Sequence, residues 1–247
     1  MKYPIEIINT DTKKKYEFIT KTWGIKNTKN TNFSLIIKNH RIELQNNLKN
    51  KEKNIWVDFN YKKFQKYKKD KKIKIIQTLG IKKNYIPHVL DSTAGVGKDS
   101  FIFFSHGCKV TMVEKNPILS ILLYDGLYRG FQNHKIGILM KKNIQLIYNT
   151  SNNLKKIKIL KPDVIYLDPM FPQKKKKSLP KKNMQTIQKL IGNDTDSHIL
   201  FQQCKQFAKN RIVVKRKMTS KYISNDLPDF NIKTKKHRFD IYLIKKK

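Results

Sequence analysis

The stretch from residue 87 to residue 104 constrains the fold of this chain more than any other part of the sequence. The apolar pair Val89 and Leu90 leads into an acid, Asp91, and a turn of small residues follows before a second apolar run begins at Phe101. This pattern predicts a strand, a tight turn and a helix. A glycine-containing turn of this kind lets backbone N–H groups and a helix N-terminus approach a nucleotide-like ligand.

The turn matches neither of two common phosphate-binding motifs. A P-loop requires Ser or Thr after its Gly-Lys pair, whereas Asp99 follows Gly97 and Lys98 here. A dinucleotide-binding turn requires a third glycine where this chain has Ser100. An acid in the turn favours a ligand without phosphate, such as S-adenosylmethionine (SAM), which joins adenosine to a cationic sulfonium and an amino-acid tail. An ordinary strand-to-helix turn without a ligand is the alternative.

Further apolar runs predict a largely parallel sheet. They lie at residues 110–113, 144–148, 164–167 and 212–214, with a last strand at 239–244. Helical stretches of about a dozen residues separate them, which is the βαβ pattern of an α/β fold. Ligands of such sheets bind at the carboxyl ends of the strands. The acids and hydroxyls expected at those ends are Asp91, Glu114, Thr150, Ser151 and Asp168.

The first 72 residues differ from the rest and predict a basic, β-rich appendage, with residues 73–247 as the main domain. Short apolar pieces lie at 33–37, 41–44 and 55–59, and the alternation at 55–59 predicts a strand. Residues 61–72 hold seven lysines with Tyr61, Phe64 and Tyr67 between them. That run suits either a groove for single-stranded RNA or a solvated loop, and both interpretations stay open. A short helix is expected over residues 73–79, ending at Gly80.

Composition limits the functional classes. The formal net charge of +36 indicates a polyanionic partner, and nucleic acid is the natural one. Part of this charge reflects a general enrichment in Lys, Asn and Ile, which is typical of A/T-rich coding. No apolar run approaches the roughly 20 residues of a membrane helix, and no secretory signal is evident. Two cysteines, Cys108 and Cys204, argue against a disulfide framework or a cysteine metal site, so we expect a cytoplasmic protein without a metal.

The segment that follows the predicted strand at 164–167 carries a chemical signature. The exocyclic amine of a nucleobase is a poor nucleophile, because its lone pair is delocalised into the ring. Two acceptors aimed at its N–H groups would free that lone pair, and the Asp168 carboxylate and the Pro169 carbonyl are candidates. Proline supplies a carbonyl and stiffens the turn, and Phe171 is placed to stack on an extracted base. The reaction requires positioning rather than a metal.

Five segments in this order resemble the ribosomal RNA small subunit methyltransferase J family. They are DSTAGVGKD (91–99), VEKNP (113–117), YLDPMFP (166–172), VVKR (213–216) and HRFDIY (237–242). The resemblance covers about residues 55–244. It implies a Rossmann-like class I methyltransferase fold, SAM as the cofactor, and methylation of the 2-amino group of one guanine in 16S ribosomal RNA of the small subunit.

The resemblance also implies roles for particular residues. The family's cofactor contacts fall on Lys98, Asp99, Glu114, Lys115, Thr150, Ser151 and Asp168, and its catalytic motif falls on Asp168, Pro169 and Phe171. Three departures stand out. Lys98 replaces the usual Arg, which keeps a cation but loses a bidentate fork, and Thr150 replaces Ser, which keeps the hydroxyl. Residues 67–72 replace a glycine-rich stretch, so a role of that segment in substrate entry stays open.

Two other functions share these motifs. A non-catalytic ribosome-assembly protein could use the same fold to bind RNA, and an adenine amino-methyltransferase acting on DNA shares the Asp-Pro-x-aromatic motif. The four lysines at 174–177, directly after the catalytic turn, and the pair Lys215 and Arg216 are candidates for contacts with RNA phosphates.

Overall fold

The computed structural model describes residues 4–9, 13–48, 53–70, 72–149, 154, 157–169, 182–192 and 196–245. The N-terminal elements are β1 (Glu6–Asn9), α1 (Lys13–Trp23), β2 (Phe33–Ile37), β3 (Ile42–Asn46), α2 (Tyr61–Lys69) and α3 (Lys74–Gln77). The following elements are β4 (His88–Asp91), α4 (Lys98–Ser105), β5 (Lys109–Glu114), α5 (Pro117–Phe131), α6 (Gly137–Asn143) and β6 (Ile144–Tyr148). The last are β7 (Val164–Leu167), α7 (Lys182–Ile191), α8 (Ser197–Phe207), β8 (Arg211–Lys217), β9 (Phe230–Lys233) and β10 (His237–Leu243).

A seven-stranded sheet in the order β6-β5-β4-β7-β8-β10-β9 forms the centre of the molecule. The strands from β6 to β8 pair in parallel, whereas β10 pairs antiparallel with both β8 and β9. The chain runs outward from β4 through β5 to β6 and then returns to β7 on the other side of β4. This reversal creates a crevice at the carboxyl ends of β4 and β7, where open α/β sheets bind their ligands. The predicted α/β fold with a Rossmann-like sheet is confirmed.

Both faces of the central part of this sheet are covered, which explains why strands β4, β5 and β7 are mostly apolar and buried. Val89 of β4 and Val110 of β5 belong to a hydrophobic cluster that includes the buried side chains of α4 and α5. Leu90 and Val113, which point to the other face, belong to a second cluster with Phe201 of α8. None of the helices in the described ranges has the length and apolarity required to cross a bilayer.

The N-terminal part forms a separate three-stranded sheet that packs against helix α5. Strand β1 pairs in parallel with β2, and β3 pairs antiparallel with β2. The indole Nε1 of Trp23 donates a buried 2.9 Å hydrogen bond to Ser120 Oγ on α5. The predicted β-rich N-terminal appendage is therefore present, while the proposed domain boundary at residue 72 stays a prediction.

The strand predicted at residues 55–59 is wrong. Ile55 alone forms a bridge, to Leu44, and the rest of the segment is in no strand. The segment nevertheless packs against α5: Val57 and Phe59 are buried, and the Val57 carbonyl accepts a hydrogen bond from Arg129 Nη2. Its alternating apolar residues reflect this packing and not a sheet.

The interpretation of residues 61–72 as a solvated loop is wrong, because residues 61–69 form helix α2, while the interpretation as an RNA-binding run stays a prediction. Asn60 Oδ1 caps the helix by accepting the Lys63 N–H at 2.9 Å. The ring of Phe64 is buried and packs on Phe104, with 5.4 Å between the ring centroids. Tyr67 meets Phe101 edge-on at 6.2 Å. The rings of Phe64 and Tyr67 thus attach α2 to α4. The short helix predicted after this run is confirmed by α3.

Candidate active site

The turn between β4 and α4 depends on two glycines with left-handed backbone conformations. Gly95 has a φ of 58° and Gly97, the N-cap of α4, has a φ of 72°. A Cβ atom on Gly97 would lie 2.7 Å from both Leu123 Cδ2 and Phe59 Cζ. Any side chain at this position would combine backbone strain with a clash. The turn is therefore held close to α5.

Asp91, at the end of β4, anchors this turn from below. Its Oδ1 accepts the Thr93 N–H at 3.1 Å and its Oδ2 accepts the Ser100 hydroxyl at 2.6 Å. The residue is 1% exposed. Removal from water raises the pKa of Asp91 to about 7, although both hydrogen bonds act in the opposite direction.

Glu114, at the end of β5, ties two segments to the sheet. Its Oε2 accepts the Gly95 N–H at 2.7 Å and its Oε1 accepts the Asn116 N–H at 2.7 Å. Asn116 in turn caps α5, accepting the N–H groups of the second and third helical residues. Burial raises the pKa of Glu114 to about 7. A carboxyl group has about four acceptor positions, so Glu114 retains capacity for ligand hydroxyls.

Asp168 follows β7 at the same edge of the sheet, beside the end of β4. Its backbone N–H donates to Thr93 Oγ1 at 2.6 Å, which joins the proline motif to the glycine turn. Its Oδ2 accepts a hydrogen bond from Lys215 Nζ at 2.8 Å, and its side chain is 40% exposed. Removal from water and the nearby charge of Asp99 raise the pKa of Asp168, although Lys215 acts in the opposite direction.

Asp99, in the first turn of α4, is the second partner of this lysine. Its Oδ2 accepts hydrogen bonds from Lys215 Nζ at 2.8 Å and from the Tyr166 hydroxyl at 2.7 Å. Burial alone would raise the pKa of Asp99, but the charge and hydrogen bond of Lys215 outweigh it, so that the pKa is lowered. The pKa of Tyr166 lies well above its usual range because of burial and the charge of Asp99, so its hydroxyl remains a donor.

The remaining predicted residues are distributed as follows. Lys98 is exposed at the start of α4, Lys115 is half-buried after β5, and Pro169 is buried directly after Asp168. Thr150, Ser151 and Phe171 lie outside the described residues, as do the lysines at 174–177. Across the described ranges, no cluster of His, Cys, Asp or Glu suited to a metal ion is found.

Sequence reasoning missed the side chains that connect these acids. Thr93 and Tyr166 were not predicted as site residues, and Lys215 was expected to face RNA phosphates. The structure instead turns Lys215 inward onto two carboxylates. Its neighbour Arg216 is also buried and donates to the Lys221 carbonyl. One signal was available, because Tyr166 and Asp168 lie two residues apart and therefore share a face of the strand.

The side chains that line this crevice fit SAM better than a phosphate-bearing nucleotide. Four carboxyl groups, those of Asp91, Asp99, Glu114 and Asp168, converge around the glycine turn. Acids at such positions repel phosphate but attract a sulfonium and an ammonium. Carboxylate oxygens also accept hydrogen bonds from ribose hydroxyls.

Comparison with known proteins agrees with this geometry. A family model for SAM-dependent methyltransferases, SAM_MT, matches residues 18–244. Ribosomal RNA small subunit methyltransferase J of Buchnera aphidicola subsp. Schizaphis graminum is 46% identical over 98% of each chain. The protein of the same name from Pectobacterium atrosepticum is 36% identical over 91% of this chain and 92% of its own.

A solved structure extends the agreement to three dimensions. The SAM-dependent methyltransferase from Neisseria gonorrhoeae is 26% identical and has a TM-score of 0.73, covering 98% of this chain and 96% of its own. The likeness thus includes the N-terminal sheet as well as the Rossmann-like part. Sequence, family model and fold agree over nearly the whole length, and the chain belongs to the ribosomal RNA small subunit methyltransferase J family.

Proposed function

We propose that this protein transfers a methyl group from SAM to the 2-amino group of a guanine in 16S ribosomal RNA of the small subunit. The observation that carries the proposal is the position of Asp168. The residue opens the Asp-Pro motif, lies at the crevice between β4 and β7, and is bonded through its backbone to the glycine turn. Membership of the family supports both the reaction and the class of substrate.

Asp168 and Pro169 would act on the target amine. The Asp168 carboxylate and the Pro169 carbonyl accept its two N–H groups, which frees the nitrogen lone pair for attack. Asp168 has the capacity for this, because the described residues provide no hydrogen-bond partner for its Oδ1. The surplus proton of the amine leaves through the hydrogen bond to Asp168. Phe171 is proposed to stack on the base, as is common where an enzyme takes a base out of the stack.

The cofactor would be held by residues of three strand ends. Bound SAM supplies a methyl group that is already activated by the sulfonium charge. Glu114 is proposed to accept the ribose hydroxyls, and the proposed contacts around it are Lys98, Asp99, Lys115, Thr150, Ser151 and Asp168. The main task of the protein is then to align donor and acceptor.

The partner is proposed to be ribosomal RNA, free or within the assembled small subunit, and the location the cytoplasm, where bacteria assemble ribosomes. The net charge of +36 supports a polyanionic partner. We propose residues 1–72 as an appendage to the methyltransferase domain at 73–247. Because Trp23 and Val57 contact α5, this appendage is part of the scaffold behind the site.

The test is transfer of labelled methyl from SAM to small ribosomal subunits that lack base methylation. We expect labelled 2-methylguanine with the wild-type protein and a loss of about 100-fold or more in kcat with Asp168→Ala, the scale on which removal of a positioned acid–base group acts. Asp226→Ala serves as the control, because that acid forms a surface ion pair with Lys205.

Other outcomes identify the alternatives. Binding of the subunit without methyl transfer and without SAM binding would favour a non-catalytic assembly protein. Transfer to adenine in DNA but not to RNA would favour a DNA methyltransferase. Full activity of Asp168→Ala would refute the assignment of this site.

A further inference from the structure

Lys215 holds together the two acids that face each other across the candidate site. Its Nζ lies 2.8 Å from Asp99 Oδ2 and 2.8 Å from Asp168 Oδ2. The lysine side chain is 20% exposed, so it is largely withdrawn from solvent. One ammonium group thus connects the first turn of α4 with the proline motif after β7.

The register of the sheet explains why the lysine reaches both acids. Leu167 of β7 lies opposite Val214 of β8, which places Lys215 next to Asp168 on the neighbouring strand. Side chains two residues apart share a face, so Lys215 follows Val213 towards the face covered by α4. Asp168 follows Tyr166 towards that same face. The contact is therefore fixed by backbone pairing and not by a flexible loop.

We propose that Lys215 is a positioning residue for methyl transfer, which orients the Asp168 carboxylate through one oxygen and keeps it ionised so that the other oxygen can accept the target amine. This inference rests on the function proposed above. It assigns Lys215 to the reaction centre instead of the RNA-binding surface.

Electrostatics explains why such a counter-ion is needed. Acids that lie close together and partly out of water hold a proton unless a cation compensates them. In the described part of the chain, the charged and titratable groups that act on Asp99 or Asp168 include Asp91 on β4, Lys98 on α4, Tyr67 on α2, Tyr166 on β7, Lys215 on β8 and His237 on β10. Burial by itself would lower the pKa of Lys215, but Asp168 and Asp99 raise it above its usual range, so the ammonium keeps its charge.

A protonated Asp168 would be a poorer acceptor for the target amine. Its hydroxyl would occupy one oxygen as a donor, and the negative charge that strengthens the hydrogen bond would be gone. The rate should therefore fall as Asp168 becomes protonated. The pKa of Asp168 in the enzyme then sets the acid limb of the rate profile.

The test is the pH dependence of kcat for Lys215→Met, measured with labelled SAM and small ribosomal subunits at saturating concentrations. An opposite charge at this distance typically lowers the pKa of an acid by about 1–3. We therefore expect the pH below which kcat falls to be about 1–3 units higher in Lys215→Met than in the wild type. Above that pH, the variant should regain much of the wild-type kcat. Lys215→Arg retains the charge and should keep the limb near its wild-type position. Lys205→Met is the control for removing a surface lysine.

Asp99→Asn provides a second test with the opposite sign. Its negative charge raises the pKa of Asp168, so removing it should move the acid limb downward. Titration of ¹³C-labelled aspartate carboxyls by NMR gives the same information without activity. The Asp168 resonance, assigned by its absence in Asp168→Asn, should show a higher midpoint in Lys215→Met and a lower one in Asp99→Asn.

The outcomes separate this inference from the proposed function. If the wild-type protein transfers methyl groups and Lys215→Met loses rate equally at all pH values, with the midpoint of Asp168 unchanged, the lysine is only structural and the inference is wrong. If Lys215→Met does not fold, Asp99→Asn decides the question. An acid limb of kcat and an NMR midpoint of Asp168 that both equal those of the wild type would then overturn the inference. If the wild-type protein transfers no methyl group at any pH, the proposed function fails.

Discussion

Asp91 and Glu114 use most of their hydrogen bonds to hold the protein's own chain in place. Thr93, Gly95 and Asn116 each donate a backbone N–H to one of the two carboxyl groups, and Ser100 donates its hydroxyl. These bonds satisfy donors that a tight turn would otherwise leave unpaired in the interior. To form these bonds, the two carboxyl groups must leave water, and this burial raises the pKa of each to about 7.

This arrangement predicts that the ligand-free protein loses stability as the pH rises. Between an unfolded pKa near 4 and a folded pKa near 7, the folded state binds more protons than the unfolded state, so stability falls with rising pH. The loss for Asp91 is at most roughly 4 kcal/mol, since a pKa difference of one between the two states corresponds to about 1.4 kcal/mol. Urea unfolding of wild type and Asp91→Asn at pH 5, 6, 7 and 8 measures it. The free energy of unfolding of Asp91→Asn should depend less on pH than that of the wild type. Asp229→Asn changes an exposed acid and should keep the pH dependence of the wild type.

An equally steep pH dependence in Asp91→Asn would contradict this account. The comparison between variants is needed because the large positive charge of the chain acts in the other direction. The net positive charge falls as the pH rises, which relieves repulsion in the folded state. The difference between wild type and variant isolates the contribution of the buried group.

The acids of the site could be found from the sequence, but their connections could not. Asp91, Glu114 and Asp168 each end an apolar run, and the parallel pattern brings such ends to one edge of the sheet. The bridge by Lys215 depends on the register between β7 and β8, which a single sequence does not specify. The bond from Asp168 to Thr93 likewise depends on how the turn after β4 folds back.

The helices and strands that were predicted wrongly lie in the N-terminal part, where the spacing of apolar residues is hard to recognise. In α2 the apolar positions Tyr61, Phe64 and Tyr67 recur every three residues, as expected for one face of a helix. The seven lysines of residues 61–72 obscure this spacing, and Asn60 caps the helix from just outside the run. The segment at 55–59 alternates like a strand, but it packs against a helix and not against another strand. Alternation alone shows which side chains are buried and not what covers them.

The contact between this segment and α5 leads to a prediction at Gly126. Replacing a helical glycine by alanine usually stabilises a protein by about 0.5–1 kcal/mol. Here the added Cβ would lie 2.6 Å from Val57 Cγ1 and 3.1 Å from the Val57 carbonyl oxygen. We therefore expect Gly126→Ala to destabilise the protein by about 1–3 kcal/mol, as overpacking does, measured by urea unfolding.

A double-mutant cycle provides the control for this prediction. Val57→Ala removes the nearest methyl group, so part of the cost of Gly126→Ala should disappear in the double variant. A gain in stability from Gly126→Ala alone would mean that α5 and the segment at 55–59 are not in close contact.

For the whole molecule, the two sheets are joined by a continuous hydrophobic core. Buried residues of the N-terminal sheet, such as Leu35 and Ile42, belong to the same cluster as Phe101 of α4 and Leu122 of α5. The sequence suggested a boundary at residue 72 because polarity changes there. Polarity along the chain does not reveal which distant segments share a core.

Because of this shared core, we predict that the protein unfolds in urea as one cooperative unit. Trp23 of α1 reports on the contact between the N-terminal part and the main domain. Its ring centroid lies 5.3 Å from that of Tyr124 of α5 and 6.4 Å from that of Tyr148 of β6. The only other tryptophan, Trp56, is 39% exposed, so Trp56→Phe makes the fluorescence specific for Trp23. Fluorescence and far-UV circular dichroism should give coincident transitions, as two-state unfolding requires. Loss of the Trp23 signal at a lower urea concentration than the helical signal would show that the N-terminal sheet detaches first. In that case the division at residue 72 would describe two units that unfold independently.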